Sequence, residues 1–302
     1  MENLGEHVPM RDQKHSYSAQ IIATMRAIES LKPENERLFY DPFARYLVSN
    51  HLKLVLSNKL MIKALLRFIE ILGPGFPDGI VVRTRYIDDL LIDCIKNHIQ
   101  QCVILGAGLD ARALRISSAK NIKVFEIDHP ASQAFKQKQL KKIVNDKEME
   151  HITFVPVNFN QETIDKKLEN TTFDPGLKTF FIWEGVTFYL TANAVDETLM
   201  FVINHSGPGS SIYFDYMFQN VLDGRCQLPE SQRIRSFPSF VGTAKETYTF
   251  GIEKETIDHF LSQRGFSSCV EMTGRQLKER YFSSDHSNRK VHELFGYVHA
   301  MI

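Results

Sequence analysis

Along the first hundred residues apolar positions recur with a helical period. Between Ser18 and Leu31, the residues Ile22, Met25, Ala27 and Ile28 gather near one face. Pro33 stops that run. Asp41-Pro42 reads as an N-cap followed by proline in the first turn, opening a short helix from Ala44 to Val48. His51 to Leu72 carries one long amphipathic pattern, closed by Gly73-Pro74-Gly75. A further helix is predicted from about Ile80 to Ile99, and no strand before residue 101.

The rhythm then changes to short apolar runs separated by helical stretches. Cys102–Leu105, Ile122–Asp128, Ile152–Val155, Lys178–Trp183, Ser211–Phe214, Phe266–Met272 and Phe295–Ile302 give seven strand candidates. Helices are predicted from Pro130 to about Val144, over Asn193–Ile203 and over Thr256–Arg264, the last closing at Gly265. Alternation of this kind predicts an α/β chain: a mainly parallel seven-stranded sheet with helices on both faces. Residues 216–250 fit no strand rhythm and read as an irregular lid insertion. The expected organisation is a helical cap region over residues 1–100 and a core over 101–302 carrying the lid, all in one compact domain.

Composition narrows the class. The chain has 302 residues, 43% hydrophobic and 24% charged, as expected of a globular protein. Lys+Arg and Asp+Glu are both 36, so no global basic field is available for nucleic acid, and none is expected as a partner. Cys94, Cys102, Cys226 and Cys269 form no C-x-x-C pair, and no zinc-type histidine spacing occurs; no bound metal is expected. The stretch Leu60–Phe76 is interrupted by Lys63, Arg67, Glu70 and Pro74, so no membrane span is expected. The N-terminus lacks the apolar segment of a signal peptide, and the expected location is the cytoplasm.

The chemistry gathers at the strand ends. The first strand runs into Gly106-Ala-Gly108-Leu-Asp110-Ala111, where glycines allow close backbone approach to a ligand. Asp128 ends the second strand, placed to accept from both hydroxyls of a ribose. Together they predict an adenosine-bearing ligand. A dinucleotide fits the literal G-x-G-x-x-A spacing, which keeps an NAD(P)-dependent oxidoreductase open. S-adenosyl-L-methionine fits too, with Arg83 as a cation for its carboxylate and Glu184 as an anion for its ammonium group.

Five ordered motifs carry a resemblance: Arg83–Asp88, Leu105–Arg112, Phe125–Pro130, Phe154–Phe159 and Trp183–Leu190. In order and spacing the chain resembles the leucine carboxyl methyltransferase family of S-adenosyl-L-methionine-dependent enzymes, in its branch of small O-methyltransferases. Arg26–Glu29 and Phe39–Ala44 fit the same branch, and the likeness spans about residues 18 to 300. It implies a class I, Rossmann-like methyltransferase fold. It implies that Arg83 binds the methionine carboxylate, that Gly106 and Gly108 line the methionine and ribose, and that Asp128 holds the ribose hydroxyls. Glu184 would meet the ammonium group. Residues 158 and 159 would flank the adenine, where family members often carry Asp-Leu and this chain carries Asn158-Phe159.

No side chain is assigned a catalytic role with assurance; Tyr189 is the candidate contact to a methyl acceptor. A small-molecule carboxylate or hydroxyl is the expected acceptor, with a protein C-terminal carboxylate and a catalytically silent homologue as alternatives. Arg233 or Arg235 would hold an anionic acceptor. Structural roles are expected for Trp183 in the core, Asp110 as a helix cap, Arg112 as its partner, and Arg85, Asp88 and Asp89 on a solvated or ion-paired helix face.

Overall fold

The computed structural model describes residues 17–158, 161–240, 247–282 and 288–302. Five helices precede the sheet: α1 (Tyr17–Ser30), α2 (Ala44–Leu47), α3 (Asn50–Leu56), α4 (Lys59–Leu72) and α5 (Phe76–Lys96). The single helix expected over His51–Leu72 is two. The Asn58 side chain accepts from the Leu60 and Met61 N–H groups and starts α4 afresh. Ahead of α2, the Asp41 carboxylate accepts from the Phe43 and Ala44 N–H groups. Helix α5 starts after Gly75, which takes φ +76°, and has Pro77 in its first turn. Its 21 residues bury one long face that includes Arg83 and Asp88.

Eight strands follow among the described residues. They are β1 (Gln101–Leu105), β2 (Lys123–Asp128), β3 (Ile152–Pro156), β4 (Thr179–Trp183), β5 (Ser211–Phe218), β6 (Gly251–Ile252), β7 (Ser268–Thr273) and β8 (Phe295–Met301). All seven expected strands are present, and the short β6 is additional. The sheet order is β3-β2-β1-β4-β5-β8-β7. Pairs from β3 through β5 are parallel, while β8 lies antiparallel between β5 and β7. β6 pairs in parallel with Met217 and Phe218, the end of β5 beyond the reach of β4. Strands β1, β4 and β5 are buried along their whole length, which is why they read as near-continuous apolar runs.

Helices α6 (Arg112–Arg115), α7 (Pro130–Leu140), α8 (Ile164–Leu168) and α9 (Ala192–Asn204) connect the parallel strands. Within residues 216–250, read from the sequence as a lid insertion, regular structure covers 216–222 and 229–240. β5 continues to Phe218, and α10 (Gln219–Leu222) and α11 (Pro229–Phe240) follow it. α12 (Ile257–Ser262) and α13 (Gly274–Tyr281) then flank β7. No helix among the described residues is long and apolar enough to cross a membrane.

Strand order reverses between β1 and β4: the chain winds outward from β1 through β2 to β3, then crosses back to place β4 on the other side of β1. In an open parallel sheet that reversal leaves a crevice at the carboxyl ends of the strands, where ligands bind. Gly106, Asp128 and Glu184 follow or end β1, β2 and β4 there.

Candidate functional site

A continuous chain of buried ion pairs runs beneath this crevice. It begins at Arg26 on α1, whose Nε lies 3.1 Å from Asp41 Oδ2. Arg115 Nε approaches the same oxygen at 3.7 Å, and its Nη2 lies 2.6 Å from Asp88 Oδ1. Arg112 Nε joins Asp88 Oδ1 at 2.9 Å, while its Nη1 contacts Asp110 Oδ2 and, at 2.7 Å, Glu184 Oε2. Glu184 Oε1 sits 2.9 Å from Arg83 Nε, and Arg83 Nη1 donates to Asp215 Oδ2 at 2.7 Å. Four guanidinium groups thus alternate with five carboxylates across α1, α5, α6, β4 and β5. The side chain of Arg112 is completely buried.

Burial alone raises a carboxyl pKa. At Glu184 the Arg112 and Arg83 charges outweigh burial and hold the group below the usual carboxylate range. At Asp110 burial is likewise outweighed, by Arg112 and Arg26. At Asp215 burial prevails over the Arg83 charge, and the carboxyl is pushed up. Buried charges are tolerated only when paired and hydrogen-bonded, so this network fixes the loops that carry it. One example is Asp215 Oδ1, which accepts from the Gly185 N–H at 2.6 Å and sets the turn after β4.

The expected site residues fall as follows. Arg83 lies at the end of the ionic chain with its Nη2 buried and without a hydrogen-bond partner among the described residues. Gly185 leaves the space beside it: a Cβ there would lie 3.7 Å from both terminal guanidinium nitrogens. Gly106 and Gly108 adopt φ +67° and +49°, the left-handed region that favours glycine. A Cβ on Gly106 would come within 2.7 Å of the Val186 side chain. Asp128 turns onto this loop, accepting from the N–H of Gly108 and, at 2.6 Å, from that of His129. Burial raises its carboxyl pKa against those two bonds. Each carboxylate oxygen retains capacity for a second donor. The N–H of Asn158 donates to Glu162 at 3.0 Å. Phe159 lies outside the described residues.

Glu184 belongs to the ionic chain, with each oxygen set against an arginine. Asp110 accepts from the Arg112 N–H at 2.7 Å and pairs with its guanidinium, so both take the structural roles expected. Arg85 pairs with Asp89 at 2.9 Å, but Asp88 is buried under two arginines. Trp183 is buried in the core. Arg233 is exposed and donates to the Ile71 carbonyl at 3.1 Å; neither it nor Arg235 lines the cavity described next.

That cavity adjoins Arg83 and Gly185. Phe76, Phe188, Tyr189, Tyr248 and Phe295 supply aromatic walls, with Tyr189 and Tyr248 stacked at 5.4 Å. Sequence reasoning missed two groups here. Asp215 was hidden inside an apolar run, where a lone carboxylate was the available signal. His292 lines the cavity without any local motif to mark it.

Residues 19–203 match the leucine carboxyl methyltransferase family. A Mycolicibacterium smegmatis protein is 30% identical over 282 residues, covering 90% of this chain and 88% of its own. The chain belongs to the leucine carboxyl methyltransferase family. YktD of Bacillus subtilis is 29% identical over 227 residues, 73% of this chain and 71% of its own. Both relatives carry names that place them among S-adenosyl-L-methionine-dependent methyltransferases. A solved Thermobifida fusca structure shares the fold over 94% of this chain and 93% of that one, at TM-score 0.55 and 11% identity. The fold is that of the Rossmann-like class I enzymes of this kind, and membership of the family makes the chain an S-adenosyl-L-methionine-dependent methyltransferase. The residues suit that donor: a buried guanidinium with a spare N–H, a glycine turn, and a carboxylate closing the second strand.

Proposed function

We propose that this methyltransferase O-methylates a small molecule, at a carboxylate or hydroxyl oxygen, in the cavity beside Arg83. One observation carries the reading: the cavity opens onto the guanidinium whose unpaired N–H would take the donor's carboxylate. Arg83 and Glu184 would hold the methionine end, Gly106 and Gly108 would let the backbone approach it, and Asp128 would hold the ribose. Asn158 and Phe159 would flank the adenine. When bound, the donor supplies a methyl group already activated by a sulfonium charge. The work left to the protein is positioning and water exclusion. The ionic chain holds the loops that do the first, and the aromatic walls supply the second. A protein acceptor is less well served, because the cavity is enclosed by side chains from α1, α5, β8 and the turn after β4.

Calorimetric titration with S-adenosyl-L-methionine, S-adenosyl-L-homocysteine and NAD tests the donor site. The first two should bind, NAD should not, and Asp128→Ala should weaken both. Transfer of labelled methyl to a panel of small phenols and carboxylic acids tests the reaction. Donor binding with no transfer to any acceptor would instead favour a catalytically silent protein.

A further inference from the structure

Helix α4 is apolar on two sides. Its inner side, Ile62, Leu65, Leu66, Ile69 and Leu72, packs into the hydrophobic core. Its outer side faces solvent: Leu60 is 75% exposed, Ile71 57%, Phe68 51% and Met61 39%, with Ala64 exposed between them. A surface helix ordinarily turns one apolar stripe to the core and polar residues outward. A contiguous row of large apolar side chains turned outward marks an interaction site.

The outer row follows from the spacing. With about 3.6 residues per turn, positions 60, 64, 68 and 71 fall within about 80° of arc, and Met61 adjoins them. From Leu60 to Ile71 the row runs about 16 Å along the helix. Lys59, Lys63 and Arg67 repeat at every fourth position along one flank of it, all exposed. Between Pro42 and Ile69 the charged residues are Arg45, Lys53, Lys59, Lys63 and Arg67, every one basic. The first carboxylate after them, Glu70, accepts from the Gly75 N–H at 3.1 Å and so is turned onto its own chain.

This pattern selects a partner. None of the outward side chains in the row carries a hydrogen-bond donor or a strong acceptor. A protein interface commonly carries about one hydrogen bond per 100–200 Å2, whereas hydrocarbon asks for none. The cations along the flank call for negative charge beside that hydrocarbon, and long Lys and Arg stems reach from apolar surface to such charge. Anionic phospholipid presents both, acyl chains below and phosphates above. Basic and apolar faces side by side are what a helix lying in the plane of a membrane surface requires. Packing against α3, α5 and α11 already holds α4 in place, so docking carries no cost of folding the helix.

We propose that α4 docks this protein onto an anionic phospholipid surface, with Leu60, Phe68 and Ile71 entering the acyl boundary and Lys59, Lys63 and Arg67 meeting lipid phosphates. The helix lies on the surface and does not cross it, in keeping with its 14 residues. The inference is independent of the acceptor and of the methyl-transfer reading above.

The test is co-sedimentation of the full chain with vesicles of phosphatidylcholine alone and of an equal mixture with phosphatidylglycerol. The wild type should bind the mixed vesicles at least about tenfold more tightly than the neutral ones, and added salt should erode the difference. Joint Lys59→Glu, Lys63→Glu and Arg67→Glu should weaken that binding about a hundredfold, since each cation near an anionic surface is worth about fivefold. Joint Leu60→Ser and Phe68→Ser should weaken it at least about tenfold. All these positions are exposed, so thermal unfolding should be unchanged in both variants. The chain has one tryptophan, Trp183, which is buried. In Phe68→Trp, brominated acyl chains should therefore quench a fluorescence that the wild type lacks. Should the charge-reversed variant fail to fold, the serine variant and the quenching decide. No binding to mixed vesicles, equal binding to both kinds, binding that survives either joint substitution, or no quenching would overturn the proposal. A dimer in solution that Leu60→Ser and Phe68→Ser abolish would assign the face to a second copy and overturn it as well.

Discussion

Under the carboxyl ends of β1 and β4 the interior is filled by nine charged groups in one continuous chain, from Arg26 to Asp215. On the far side of Gly185 the cavity is walled by aromatic rings, with the His292 imidazole set among them. Both regions are buried and both touch Arg83. The first region is held by charge pairing between elements far apart in the chain, although Arg83 Nη2 and Arg112 Nη2 make no hydrogen bond among the described residues. The second is held by ring contacts among aromatic side chains. Buried charge fixes shape in the one, and apolar walls leave space in the other.

The largest effect should come from cutting the ionic chain at its centre. Arg112→Met leaves Asp88, Asp110 and Glu184 short of a buried cation. It should cost about 3–5 kcal/mol of stability in urea unfolding. A cost below about 1 kcal/mol would mean that the chain is not the rigid element described. Next comes pH. The unfolded chain protonates His292 near its ordinary pKa of 6.5, while the folded chain resists until about 4. This contribution to stability is complete above that window and is lost as pH falls through it. It amounts to at most about 3 kcal/mol. His292→Phe should flatten the corresponding slope of stability against pH between 6.5 and 4, an expectation checked by unfolding at a series of pH values.

A smaller effect is expected at the crevice itself. Asp128→Ala removes a carboxylate from the glycine turn and should weaken S-adenosyl-L-methionine binding at least tenfold, about 1.4 kcal/mol. Calorimetry measures it directly. The smallest concerns the two arginines on α11. Arg233 and Arg235 are exposed and off the cavity, so their joint replacement by alanine should change stability by less than about 0.5 kcal/mol. Turnover should not change, and a large loss would show that α11 reaches the acceptor.

The legibility of the sequence followed the same division. Buried parallel strands announced themselves as apolar runs, so β1, β2, β3 and β4 were readable with near-correct ends. β5 was cut short after Phe214 because Asp215 interrupts its apolar run, although Tyr216 to Phe218 continue it. β6 has two residues and no pattern to read. The break between α3 and α4 carries neither glycine nor proline, only the capping side chain of Asn58. In the site, Gly106, Gly108 and Asp128 were legible because their spacing is local to one strand–turn–helix unit. The partners of Arg83, Arg112 and Arg115 were not, because ion pairing joins residues far apart in the chain. His292 was the least legible of all, since its seat is made by glycines at 75, 79 and 274.

The position of β8 has a consequence for how the molecule assembles. It lies between β5 and β7, so β5 gains its second long neighbour only after the chain has passed through α10 to α13 and both intervening strands. Until then all eight residues of β5, each buried in the finished fold, border an open strand edge. Such an edge is a template for pairing with another copy, and closing it needs contacts between distant segments, which form slowly. Phe295 and Tyr297 on β8 also line the cavity, so the acceptor side is assembled in the same late event. Changes in β8 are therefore expected to be felt first as lost refolding yield and aggregation, ahead of any shift in equilibrium stability.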